Sequence, residues 1–225
     1  MAPQNKFFAA SGNTDYLWKS LTDGSVQKMS NGRIPKMTPQ QAAGLIGSWI
    51  VETGRNGLDR LDVVEKGSAK GRGLSQYTGV RRNPYDMAVS AAKARGDDVN
   101  SAQWQLKYFV EEYVGKHDKN GNSLIGWTRV FEQAPKDGTP QTFANYFTGS
   151  AAAAEGYFRP SIPHTDRRQA AAQEVFQHYY QTPQVKSLAV PKKPNPESTR
   201  SLTINKPNPF GQIGEAVKAG LGQLF

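Results

Sequence analysis

Apolar side chains at Ala42, Leu45, Ile46, Trp49 and Ile50 fall three or four apart, the spacing of one face of an α-helix. Thr38 is a good N-cap, Pro39 suits the first helical position and Gly54 supplies a stop, so this pattern predicts a helix between Thr38 and Gly54. Ahead of it, residues 1–37 carry only a short pattern around Tyr16, Leu17, Trp18 and Leu21, enough for one or two helical turns, and read as a lead-in. Residues 61–66 (LDVVEK) and 73–78 (GLSQYT) read as two short strands around GSAKGR, whose small residues fit a hairpin loop. Helical spacing returns at 84–95, 101–115, 123–134, 139–158 and 164–181. The expected class is α+β, mostly α: a helical domain with a small β-hairpin, flanked by irregular N- and C-terminal extensions.

After Tyr180 the pattern breaks into TPQVKSLAVPKKPNPESTRSLTINKPNPFGQ, where frequent prolines preclude regular helix and favour an extended linker. The final stretch places Phe210, Ile213, Val217, Leu221 and Leu224 at helical spacing, but its glycines lower its intrinsic stability, so ordering on a partner is expected. The domains expected are therefore a lead-in over 1–37, a catalytic-size domain over 38–182, and a linker with a docking segment over 183–225.

Composition narrows the chemistry. No cysteine occurs, which removes disulfides, thiolate metal sites and thiol nucleophiles. The three histidines, His117, His164 and His178, match no zinc-hydrolase spacing, so neither metal nor other cofactor is expected. The net charge of +9 suggests a polyanionic partner: nucleic acid, an anionic membrane or acidic envelope polymers. Residues 38–182 are nearly balanced, with 17 basic and 15 acidic groups. The excess lies in 1–37, with 5 and 2, and in 183–225, with 6 and 2, so the ends read as attachment regions. No apolar run reaches membrane-spanning length and the N-terminus lacks a signal-peptide layout, so synthesis as a soluble cytoplasmic product is expected.

At 100° per residue, Glu52 lies at the edge of the apolar stripe and in the last turn of the predicted helix. The negative end of the helix dipole and partial desolvation both disfavour its ionised form there. A carboxyl that keeps its proton near neutral pH is what glycoside hydrolysis needs to protonate a leaving oxygen. By position alone, an ordinary solvated helix-end glutamate fits as well.

QQAAGLIGSWIVETG at 40–54, followed by GLSQYTGVRR at 73–82, distinguishes the two. This pairing resembles the phage tail-lysozyme family, whose members carry a helix reading AAG-(I/L)-IG-x-x-x-x-E-(S/T)-G and then a hairpin ending G-(I/L)-x-Q-(W/Y)-T-G with one or two arginines. The resemblance continues through QLKYFVEEY at 105–113 and YFRPSIPHTDRRQAAAQEVFQHYY at 157–180, and covers about 38–182. It departs from the common pattern at Thr53, where Ser is frequent, and at Tyr77, where Trp is frequent. It implies a lysozyme-like fold, with Glu52 as catalytic acid and Gln76, Tyr77 and Arg81 on the hairpin wall of a saccharide cleft. An amide and an aromatic ring suit sugar and N-acetyl groups. Hairpin packing for Tyr77 and a solvated surface for Arg81 and Arg82 stay open.

A second carboxylate would activate water or act as nucleophile. Asp62 and Glu65 are the candidates. Strand alternation favours Glu65, which shares a face with Leu61 and Val63, and a salt bridge from Glu65 to Lys70 or Arg72 is the competing reading. Without either carboxylate, Glu52 would act alone, as lytic transglycosylases resembling such domains do. Gln105 and Glu112 are assigned to internal hydrogen bonding. DKNGNSLIGWTR at 118–129 fails as a calcium loop, with Ser123 and Arg129 at key positions, and GSAKGRG at 67–73 lacks phosphate-loop spacing. The resemblance implies a muramidase of the phage particle, in its tail or internal core, acting on peptidoglycan during genome delivery and docked to other virion proteins through 183–225. Contact of the ends with DNA or membrane stays open, as do a non-catalytic internal virion protein with a lysozyme-like fold and a free endolysin.

Overall fold

The computed structural model describes residues 7–65, 70–115, 130–149, 156–158, 160 and 162–181. Among them seven α-helices follow in order: α1 (Gly12–Thr22), α2 (Ser25–Met29), α3 (Pro39–Thr53), α4 (Arg82–Ala94), α5 (Ala102–Tyr113), α6 (Pro140–Thr148) and α7 (Thr165–Phe176). A 3₁₀ turn, Gly79–Arg81, leads into α4, and a π-helical turn, Gln177–Gln181, continues α7. The chain divides into two units, Met1–Gln184 and Val185–Phe225. The linker and docking segment expected at 183–225 lies outside the described residues, as does the polar loop at 118–129.

The first unit is built around α3. Its start follows the expected chemistry: Thr38 Oγ1 accepts from the Gln41 N–H at 3.2 Å and Gln41 Oε1 accepts from the Thr38 N–H at 2.9 Å, a reciprocal capping box with Pro39 behind it. Gly54 ends the helix in the left-handed region at φ 63°. Between these caps α3 is buried on nearly every side, which a single amphipathic stripe would not produce. Two glycines make this possible by facing different neighbours. A Cβ at Gly44 would lie 2.6 Å from the Phe143 Cβ on α6, and one at Gly47 would lie 2.4 Å from the Ala172 backbone nitrogen on α7. Backbone therefore meets backbone on both flanks, with Leu45, Ile46, Trp49 and Ile50 filling the core between.

Residues 7–37 differ from the expected lead-in. They carry α1 and α2, and Phe8, Leu17, Leu21, Val26, Ile34 and Met37 are buried in the same core as α3. Ser11 and Thr14 form the capping box that starts α1, which then runs eleven residues. The N-terminal stretch also closes onto the far end of the unit. The Phe7 and Phe8 N–H groups both donate to Glu174 Oε2 at 2.8 Å, and Trp18 stacks on Tyr179 at 4.8 Å between centroids.

The hairpin also differs. No strand is present among the described residues; one isolated antiparallel bridge, Val64 to Arg72, joins 61–65 to 70–78, and a second, Arg72 to Tyr77, lies within 70–78. In place of a strand at 73–78, Gly73–Gln76 forms a turn, with Gly73 at φ 80°, Gln76 at φ 45° and the Gln76 N–H donating to the Gly73 carbonyl at 3.1 Å. The turn lets Leu74 enter the main core while Tyr77 enters a second cluster with Tyr85, Val89, Val99 and Tyr108. Two further segments depart from the helices their spacing predicts. Residues 130–134, the described part of 123–134, form turn structure, and α6 stops at Thr148 instead of running to 158. Beyond it Tyr157 and Phe158 fold back, both N–H groups donating to the Phe147 carbonyl at 2.7 and 3.1 Å.

Candidate active site

Glu52 occupies the last turn of α3, just after the most buried part of the helix. Its side chain is 12% exposed. One neighbour dominates its surroundings: Arg168, near the start of α7, donates from Nη2 to Glu52 Oε1 at 2.5 Å. Arg168 is itself fixed by two main-chain acceptors, Nε donating to the Pro163 carbonyl at 2.7 Å and Nη1 to the Ser48 carbonyl at 3.2 Å. The Phe158 ring lies 5.4 Å from the guanidinium carbon. Burial nevertheless raises the Glu52 pKa, outweighing the opposite pull of Arg168 and, more remotely, Arg81; the negative charge of Glu65 pushes in the same direction as burial. Glu52 thus holds its proton to higher pH than an ordinary glutamate, with a route to solvent.

The two candidate partners have different fates. Asp62 is engaged in structure: Arg72 donates to its carboxylate with two nitrogens, both at 2.7 Å, Tyr85 donates at 3.2 Å, and Lys93 Nζ lies at 3.6 Å. Arg72 also bridges to Asp86 at 2.9 Å. Glu65 is exposed, and its carboxylate accepts from the Gly71 N–H at 3.2 Å. Among the described residues it has no ion pair, so the competing reading of a bridge to Lys70 or Arg72 does not apply. Its charge lies near enough to Glu52 to raise that residue's proton affinity.

Gln76, Tyr77 and Arg81, expected on a cleft wall, are all buried. Gln76 closes the turn, donating to the Gly73 carbonyl at 2.9 Å and to the Val63 carbonyl at 3.3 Å. Tyr77 stacks on Tyr85 at 4.7 Å and meets Tyr108 edge-on at 5.1 Å. Arg81 lies between the Tyr77 and Tyr157 rings, at 4.9 and 4.8 Å, and donates to Glu112 through Nε at 2.5 Å and Nη2 at 2.9 Å. Tyr157 completes this group by donating to Glu112 Oε2 at 2.9 Å. Arg82, the other arginine of the pair, donates to Asp86 at 2.6 Å.

Gln105 is wholly internal: Oε1 accepts from the Leu74 N–H at 3.0 Å, and Nε2 donates to the Tyr85 hydroxyl at 2.6 Å and to the Val99 carbonyl at 2.7 Å. With Glu112 paired to Arg81, both residues have the internal hydrogen bonding assigned to them. Among the described residues no group of three His, Asp or Glu side chains is arranged to hold a metal.

Arg168 is the residue the sequence reading left without a role. Its signal is present: Arg168, Ala171, Ala172 and Val175 are spaced three and four apart and all are buried, so a cation stands on the apolar face of α7. A charge there requires a partner.

The family described as phage tail lysozyme matches residues 25–179. No curated protein and no solved structure matches the chain.

Proposed function

Since the chain belongs to the phage tail lysozyme family, we propose that it is a virion-associated muramidase that opens peptidoglycan glycan strands during genome delivery, with Glu52 as general acid. Lysozyme-like hydrolysis of peptidoglycan is the activity this family suggests. The observation that carries the assignment of Glu52 is its environment: a carboxyl at the end of α3, largely buried yet open to solvent, whose proton affinity burial raises. In the reaction Glu52 gives its proton to the glycosidic oxygen as the bond to the anomeric carbon breaks. Glu65, exposed and without an ion pair among the described residues, either takes a proton from the water that attacks the anomeric carbon, or itself bonds to that carbon as the leaving oxygen departs. In the second case the resulting glycosyl ester is hydrolysed by a water that gives a proton to Glu52 and its hydroxyl to the sugar. Should Glu65 not take part, Glu52 would deprotonate a hydroxyl of the same sugar and leave an anhydro end.

Mass spectrometry of muropeptides released from purified cell walls tests this reading. Reducing ends support hydrolysis, anhydro ends support the single-carboxylate route, and no products at all refute the enzyme. The net charge of +9 favours the rival, a non-catalytic protein associated with DNA in the particle, which predicts that last outcome.

A further inference from the structure

We propose that Arg168 is a positioning residue for Glu52: anchored on two backbone carbonyls, its guanidinium holds the carboxyl in one orientation and stabilises the carboxylate left when the proton departs. This rests on the reading of Glu52 as proton donor.

The geometry assigns the direction of control. Arg168 is 2% exposed, and three of its nitrogens have separate acceptors. Two of those acceptors are main-chain oxygens whose positions are set by the fold. The Pro163 carbonyl lies just before α7, and the Ser48 carbonyl lies on α3 one turn before Glu52. The plane of the guanidinium is therefore set by the backbone, and the carboxyl comes to it. Gly47 makes the approach possible, because the absence of a Cβ lets the α7 backbone at Ala172, one turn beyond Arg168, lie against α3.

Three charged groups act on Glu52: Arg168 from α7, Arg81 from the 3₁₀ turn and Glu65 from the segment after α3. Arg81 is bound through two nitrogens to Glu112, so much of its field is offset. Arg168 has no second carboxylate partner among the described residues, and its charge is directed at Glu52. Proton donation creates a carboxylate in a largely buried place, and a fixed cation already there lowers the cost of that charge without reorganisation. Because Arg168 is buried, its loss acts on the proton transfer more than on substrate binding.

Removing the cation disfavours the ionised carboxyl, so the Glu52 titration and the alkaline limb of the pH profile should both move to higher pH. The test uses the full chain with Arg168→Met and Arg168→Lys. The Glu52 carboxyl is followed by carbon-13 NMR titration, its signal assigned by its absence in Glu52→Gln, alongside kcat and KM on cell walls. Arg168→Met should raise the titration midpoint and lower kcat by about 10²-fold. KM should stay within about twofold, the pattern of an interaction made in the transition state. Arg168→Lys, which keeps the charge but loses the planar fork, should move both readouts less in the same directions. If Arg168→Met does not fold, the lysine variant carries the test. A folded variant with unchanged midpoint and unchanged kcat overturns the proposal. A raised midpoint in Arg168→Met, with a wild-type chain that cleaves no wall, supports the electrostatic coupling and refutes the functional reading instead.

Discussion

Replacing Gly47 by alanine adds one methyl group where α3 and α7 meet backbone to backbone. The added Cβ would lie 2.4 Å from the Ala172 nitrogen and 2.6 Å from its Cα, distances that no rotamer change relieves because both atoms are backbone. Alanine gains about 1 kcal/mol over glycine in helix propensity. Overpacking costs about 1–3 kcal/mol, and a clash of backbone with backbone lies at the upper end. The net loss should be about 1–2 kcal/mol, which for a domain of this size lowers Tm by roughly 2–8 °C. Activity should fall further than stability explains, because separating α7 from α3 withdraws Arg168 from Glu52. Gly12→Ala is the control: Gly12 is exposed at the start of α1 with nothing within 4 Å of a Cβ, so that variant should match or exceed wild-type Tm. Thermal melts followed by circular dichroism, with wall-clearing rates measured well below every Tm, read both effects. A Gly47→Ala chain that melts with wild type and clears walls at the wild-type rate would refute the close-approach argument.

Glu65→Gln should lower turnover by roughly 10²-fold or more with little change in Tm, whereas Asp62→Asn, which disrupts the Arg72 bridge, should lower Tm while the folded protein keeps its activity; the reverse pattern would transfer the second-carboxylate role to Asp62. Glu112→Gln leaves Arg81 buried without its counter-ion and should cost about 3–5 kcal/mol in urea unfolding, and a cost below about 1 kcal/mol would show that the pair is not a brace.

What the sequence discloses depends on how local the cause is. The bounds of α3 are local chemistry, since Thr38, Pro39 and Gly54 act within one or two turns, and the structure uses them as expected, adding Gln41 as the second half of the cap. The place of Glu52 at the edge of an apolar stripe is equally local, but its proposed role is not. The stripe alone fits an ordinary helix-end glutamate as well, and only the pairing of the 40–54 and 73–82 segments singles it out. The segment at 73–78 is not local. Its residues suit a strand, but Leu74 and Tyr77 are drawn into different cores, and Gln76 accepts φ 45° to connect them. Gln76, Tyr77 and Arg81 suit a cleft wall by residue type, yet all three are buried, and Arg81 is turned inward by its pairing with Glu112. The helices of 7–37 are obscured by the shortness of their pattern, since packing against α3 and α5 is what gives Leu17 and Leu21 a place to be buried. Arg168 needed only the spacing of α7 to be noticed, but its partner lies 116 residues earlier and no periodicity discloses it.

The most direct measurement is the clearing rate of Glu52→Gln on purified cell walls beside wild type, with circular dichroism confirming that both are folded. The change is nearly isosteric and leaves an amide oxygen for Arg168 Nη2, so the fold should persist while the only proton Glu52 can donate is removed. The account predicts that wall cleavage falls below a few per cent of wild type, on the scale of about 10²–10⁴-fold for loss of a general acid. A folded Glu52→Gln chain that clears walls at close to the wild-type rate would contradict it.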